Sequence, residues 1–204
     1  ASDVYKRQGL QRGALFEVLR DAWPGAGEVR TGIRITGTQE EGRALVDADG
    51  GRHGPYDLVI AADGAASGLR AAVGEPRLDR AYPWGALWCL VPEGDWPWGH
   101  ELRQRYRRAR EMAGMLPVGA RPGDATPRLS FFWSLPAAAL AQWPDGDLAA
   151  WKAGVSRLWP ELGPMLAGVT EAPMLAKARY RDAIPRAWSK GRLVLLGDAA
   201  HAMS

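Results

Sequence analysis

The chain has 204 residues, 47% of them hydrophobic and 24% charged, with 26 Lys and Arg against 23 Asp and Glu. This is a globular composition, long enough for one sizeable domain or a little more, and a net charge of +3 is too slight for a dedicated nucleic-acid binder. The single cysteine, Cys89, excludes an internal disulfide framework and a cysteine-based zinc cluster. No apolar run nears the roughly 18 residues of a membrane span, so a cytoplasmic protein is the default expectation. Residues 1–8 (ASDVYKRQ) join no periodic pattern and read as a non-native leader. Because Ser204 follows directly on a strand and a turn, an internal piece of a longer protein is expected.

Residues 11–22 place Leu15, Val18, Leu19 and Ala22 at helical spacing, with Pro24-Gly25 as the stop. Residues 29–36 alternate as a strand, residues 44–47 form a second, and Asp49-Gly50-Gly51 turns the chain. The continuous apolar run at 57–62 predicts a strand buried on both faces, followed by a short helix over 67–73 that Ser67 can cap. From about residue 79 the texture changes. Strands are predicted over 85–91, 101–108, 112–118 and 128–135, separated by Pro/Gly turns, which indicates a mostly antiparallel sheet. An amphipathic helix spans 147–158 and continues for a turn or two over 160–166; strands return at 173–181 and 192–196.

Two strand ends share one construction. The run 58–62 leads into Asp63-Gly64, the run 193–196 leads into Gly197-Asp198, and small residues with a helix start follow each. In an α/β sheet, ligands bind beyond the carboxyl ends of the strands. Glycine there lets backbone approach a ligand, and a carboxylate can accept hydrogen bonds from a ribose or ribitol diol. A helix starting at Ala199 would aim its amides at a phosphate or an electron-rich carbonyl. The plain alternatives are a hairpin turn at Asp63-Gly64 and an ordinary helix cap at Asp198.

The string GRLVLLGDAAHAM (191–203), with DLVIAADGAASGLRAAVG (57–74) upstream, resembles the FAD-dependent aromatic hydroxylases of the para-hydroxybenzoate hydroxylase type. That family carries an N-terminal GxGxxG, a central Asp-Gly strand end and a late Gly-Asp strand end followed by Ala-Ala-His; the second and third are present here, in order. The helix with Arg12, Leu15 and Leu19 also looks like the family's helix whose arginine reaches FAD. The resemblance implies FAD as cofactor and NAD(P)H as co-substrate. It places Asp198 on the FAD ribitol and lets Gly197 pack closely. Ala199, Ala200 and His201 would begin the helix facing the pyrophosphate and flavin, Asp63 and Gly64 would lie near the phosphates, and Arg12 near the ribose-phosphate region. Arg70 is read either as an aid to nicotinamide-nucleotide binding or as a surface arginine. The GxGxxG is absent, as is the Pro-x-x-Gly-x-Gly run that follows Gly-Asp in the family. The chain by itself is therefore expected to hold FAD poorly, with activity belonging to the parent protein.

Other features have simpler readings. His201 is expected to pack at the helix start and not to act as a base; His53 and His100 lack partners at ligand spacing, so no metal site is expected. The alternating Arg103, Arg105 and Arg107, with Arg108 and Arg110, read as a solvated basic face in preference to a phosphate-binding one. Cys89 is expected to pack as a small apolar side chain. Of the ten tryptophans, Trp151 and Trp159 share an apolar stripe with Val155 and Leu158, with Trp143 flanking that helix; these read as core. In the family the antiparallel sheet roofs the substrate pocket, which makes Trp88 and Phe132 candidate contacts to a planar substrate.

The expected architecture is mixed α/β, with Rossmann-like FAD/NAD(P)-binding elements at 9–78 and 183–204 and an inserted antiparallel substrate-domain sheet at 79–182. By resemblance, the parent is an NAD(P)H- and O2-dependent monooxygenase that hydroxylates a small aromatic compound through a flavin hydroperoxide. The cofactor would carry the chemistry, which accounts for the absence of an acid–base dyad and leaves no catalytic side chain assigned. The alternatives are another FAD oxidoreductase on the same scaffold or a non-catalytic basic binding module; neither nucleic acid nor a membrane is an expected partner.

Overall fold

The computed structural model describes residues 9–23, 29–99, 101–108, 110–143 and 147–203. The expected leader at 1–8, the Pro24-Gly25 stop, His100 and Ser204 lie outside them. Contact density divides the chain into two compact units: residues 1–27 with 84–178, here the sheet unit, and residues 28–83 with 179–204, here the strand-end unit.

The sheet unit begins with helix α1 (Arg12–Asp21), capped by the Gln11 side chain, which accepts from the Ala14 amide at 3.1 Å. The helix was expected with the segment 9–78, but it packs against a strand of the antiparallel sheet. Its predicted apolar stripe stands open, since Leu15, Val18 and Leu19 are exposed and only Ala14 is buried. The sheet is built from β5 (Leu78–Pro92), β6 (Arg103–Arg107), β7 (Glu111–Arg121), β8 (Asp124–Pro136) and β9 (Ala176–Ile184), in the order β6-β7-β8-β5-β9. Neighbouring pairs β6–β7, β7–β8 and β8–β5 are antiparallel, as expected. Strands β5 and β9 begin in one unit and end in the other.

Helices α3 (Ala137–Gln142), α4 (Leu148–Leu158) and α5 (Leu162–Met165) follow β8. Asp147 caps α4 by accepting from the amides of Ala149 and Ala150 at 2.8 and 3.0 Å. Period-two alternation sends Leu87, Val91, Ala113, Met115, Leu129 and Phe131 to one face, where they bury against Val155, Trp159, Leu162 and Leu166. Trp151 joins this core edge-on to Phe131 and Trp143, each at 5.9 Å, so the expected tryptophan stripe is core. Trp96 and Trp98 belong to it too, in contact with Trp159. Cys89 packs against the same core, and burial pushes its thiol up to about 12.

The strand-end unit holds β1 (Ile35–Gln39), β2 (Ala44–Asp47) and β3 (Arg52–His53) in one antiparallel sheet. The first strand starts later than its alternation predicts, beyond Gly32, whose φ of 76° breaks the extended run. A second sheet has the order β10 (Ser189–Lys190), β11 (Leu193–Leu195), β4 (Val59–Ala61). Short helices α2 (Arg70–Val73) and α6 (Asp198–His201) close the two strand ends. Val59, Ala61, Leu69, Val73, Leu193, Leu195 and Ala200 form the core of this unit. Among the described residues, no helix is long and apolar enough to cross a membrane, and no group of three His, Cys, Asp or Glu side chains could hold a metal ion.

Candidate functional site

Strands β4 and β11 run parallel in the register Val59↔Leu193, Ile60↔Val194, Ala61↔Leu195, and the Leu196 amide donates to the Ala61 carbonyl at 2.9 Å. The two sequence-predicted turns, Asp63-Gly64 and Gly197-Asp198, therefore leave the sheet side by side at its carboxyl edge. A parallel pairing and a following helix exclude the hairpin reading of Asp63-Gly64.

Each turn is shaped by its own residues. Gly64 has φ 84° and Gly197 φ 58°, the left-handed region that favours glycine. A β-carbon at either would meet nothing within 4 Å, so the backbone conformation, not a protein neighbour, demands glycine, and open surface lies in front of both. One Asp63 oxygen accepts from the Gly68 amide at 3.0 Å, and the Ser67 hydroxyl accepts from the amides of Leu69 and Arg70 at 3.2 and 3.1 Å; α2 starts later than expected, so its cap position falls to Leu69 and not to Ser67. On the other side, the amides of Ala200 and His201 are spent on the Gly197 carbonyl, at 2.9 and 3.0 Å. The buried methyls of Ala199 and Ala200 anchor the turn. The Asp198 carboxylate is exposed and accepts no hydrogen bond among the described residues. The exposed His201 ring lies 6.3 Å from the Trp188 ring.

Arg70 is neither a surface arginine nor open to a nucleotide. It is 2% exposed. Its Nε donates to the Ala199 carbonyl at 2.9 Å, its Nη2 to the carbonyls of Ala65 and Asp198 at 2.9 and 3.1 Å, and its Nη1 to Asp79 at 3.2 Å. Arg181 also donates to Asp79. Burial pushes the Asp79 carboxyl up, but hydrogen bonds from Arg181 and Arg70 outweigh it and hold the group below its ordinary value. The sequence signal for Arg70 is faint: it stands three residues after Ser67, but nothing local reveals acceptors 128 and 129 positions away.

The remaining candidates lie in the sheet unit. Arg12 is exposed on α1. Trp88 and Phe132 are cross-strand partners on the face opposite the helix-covered core, with ring centroids 5.1 Å apart and planes inclined at 35°. The Phe132 ring lies over Gly114, where any β-carbon would collide with it. The Trp88 indole nitrogen is buried without a hydrogen-bond partner among the described residues. Arg103, Arg105 and Arg107 are exposed on β6, as expected of a solvated basic face, and Arg103 and Arg105 also meet aromatic rings. They stack over Trp98 and Trp159 at 5.7 and 5.6 Å, and Arg103 and Arg107 pair with Glu101 and Glu111. His53 is paired too, 2.8 Å from Asp47.

Residues 26–204 match the FAD binding domain family. The chain belongs to that family. FAD is accordingly its cofactor. Among curated relatives, the aurachin C monooxygenase/isomerase of Stigmatella aurantiaca is 29% identical over 96% of this chain and 49% of its own length. The 2-heptyl-3-hydroxy-4(1H)-quinolone synthase of Mycobacteroides abscessus is 30% identical over 95% of this chain and 50% of its own. The solved structure of HpxO from Klebsiella pneumoniae, complexed with FAD and uric acid, superposes with a TM-score of 0.70 at 26% identity, covering 95% of this chain and 49% of that one. The chain thus spans about half the length of the curated relatives it matches. The residues present fit the cofactor. Open surface fronts two left-handed glycines, and the unengaged Asp198 carboxylate beside one of them suits a polyhydroxyl chain.

Proposed function

We propose that this chain is the FAD-holding part of an NAD(P)H- and O2-dependent monooxygenase that hydroxylates a small aromatic compound. The observation that carries the reading is the pair of Gly-Asp and Asp-Gly turns at the ends of adjacent parallel strands, each with open space before its glycine. The name of a relative that is a hydroxyquinolone synthase, and the uric acid bound to HpxO, support an aromatic substrate.

In this reading the Asp198 carboxylate accepts hydrogen bonds from the ribitol hydroxyls, and Gly197 lets the backbone approach. Asp63 and Gly64 line the phosphate side, and Ala199 and Ala200 fix the turn from beneath. His201 stands at the turn's edge beside Trp188. Trp88 and Phe132 provide an aromatic wall for a flat substrate and exclude water from it. When bound, FAD would supply the two-electron redox chemistry that couples a nicotinamide nucleotide to O2. Residues 9–78 and 183–204 then serve the cofactor and 79–182 the substrate, in a cytoplasmic enzyme with access to nicotinamide nucleotides.

The test uses the full-length protein with a panel of phenols and nitrogen heteroaromatics under labelled dioxygen. NAD(P)H oxidation coupled to entry of one labelled oxygen atom into a ring is expected. NAD(P)H oxidation with no hydroxylated product from any member would overturn the monooxygenase assignment.

A further inference from the structure

We propose that Arg70 is a positioning residue that fixes the two cofactor-facing turns relative to each other through their main-chain carbonyls, and not a ligand of a nucleotide phosphate. The inference rests on reading those turns as the FAD site. All three guanidinium nitrogens are engaged by protein acceptors: Nε by Ala199, Nη2 by Ala65 and Asp198, Nη1 by Asp79. With 2% exposure, the group has no open side to offer an anion.

The carbonyls it binds belong to both turns, at positions where no strand ladder or helix can satisfy them. A single planar fork thereby crosslinks residue 65 to residues 198 and 199, which a lysine's single ammonium cannot reproduce in the same geometry. In a trans peptide the N–H points opposite to the preceding carbonyl. Holding the Ala65 carbonyl inward thus fixes the amide of the exposed Ala66 on the outer side, and holding the Asp198 carbonyl does the same for the amide of Ala199. Asp79 neutralises the buried charge and is itself held by Arg181, so the fork sits on a braced base contributed by β5 and β9.

The test compares wild type with Arg70→Met, Arg70→Lys and Arg70→Ala by residue-resolved amide exchange and by FAD titration. For Arg70→Met, exchange at residues 64–68 and 197–201 is expected to rise about tenfold or more while β7 and β8 keep their protection. FAD affinity should fall by a similar factor. Added guanidinium ion, well below denaturing concentration, should partly restore both turns in Arg70→Ala; a general packing loss would not respond. Should Arg70→Met fail to fold, Arg70→Lys decides: both turns several-fold looser than wild type supports the proposal, wild-type protection overturns it. Lost FAD affinity with both turns as protected as in wild type would also overturn it, because Arg70 would then be a direct ligand. If wild type binds no FAD yet the variants loosen both turns, Arg70 retains its positioning role and the FAD reading fails alone.

Discussion

The two units are ordered by different means. In the sheet unit, large side chains do the ordering: Trp159, Phe131, Leu87, Met115 and Leu129 are each almost fully buried under α4 and α5. In the strand-end unit the core is small and mostly aliphatic, and its turns are held by hydrogen bonds to one buried guanidinium. The difference follows from what each must leave open. A turn that presents bare backbone to a ligand cannot also be covered by side chains, so its carbonyls must be satisfied from the inner side. The same contrast separates the two faces of the antiparallel sheet, since the face bearing Trp88 and Phe132 is only half-buried.

The contrast predicts a descending series of effects. Trp159→Ala, which empties the densest part of the sheet unit, should cost about 3–5 kcal/mol, read as the shift in denaturant midpoint by far-UV circular dichroism. Exchange at residues 64–68 and 197–201 should change less than in β7 and β8; equal loosening everywhere would mean that the units do not differ as described. Gly114→Ala drives a methyl into the Phe132 ring and should cost about 1–3 kcal/mol, with altered ring-current shifts of the Trp88 indole proton as its local signature. Asp147→Ala removes the α4 cap at a cost of about 1 kcal/mol, measured by the same unfolding transition.

The smallest expected effect is a slope and not a level. Asp79 is held below its ordinary value of 3.8, so its contribution is fully present above that pH and is lost as pH falls through the lowered value. Asp79→Asn should therefore flatten the acid limb of stability below about pH 4. An acid limb identical to wild type in amide exchange of the two turns would remove Asp79 from the account.

Much of the site was legible in the sequence because its signals are local. A short apolar run ending in Asp-Gly or Gly-Asp reports both a buried strand and a left-handed turn, and β4 and β11 lie within the predicted spans. Longer-range facts were not. Arg70 looked like any helix arginine because its acceptors at 198 and 199 come from the far end of the chain. Strand β5 begins at Leu78, well before the predicted 85, because Asp79, Arg80 and Pro83 interrupt the apolar alternation while ion pairs with Arg70, Arg181 and Asp182 engage those charges. The arginines of β6 announced charge, but their stacking over Trp98 and Trp159 depends on which face of the sheet the helices cover.

The central claim is that the paired strand-end turns of this chain hold FAD. Its most direct test is titration of FAD into the wild-type chain and into Asp198→Ala, followed by quenching of flavin fluorescence, with unfolding midpoints measured in parallel. Weak but saturable binding to wild type is expected, at least about tenfold weaker in Asp198→Ala, with little change in midpoint because the carboxylate is exposed and supports no contact among the described residues. Equal affinity in the two proteins, or no saturable binding by wild type, would contradict the claim.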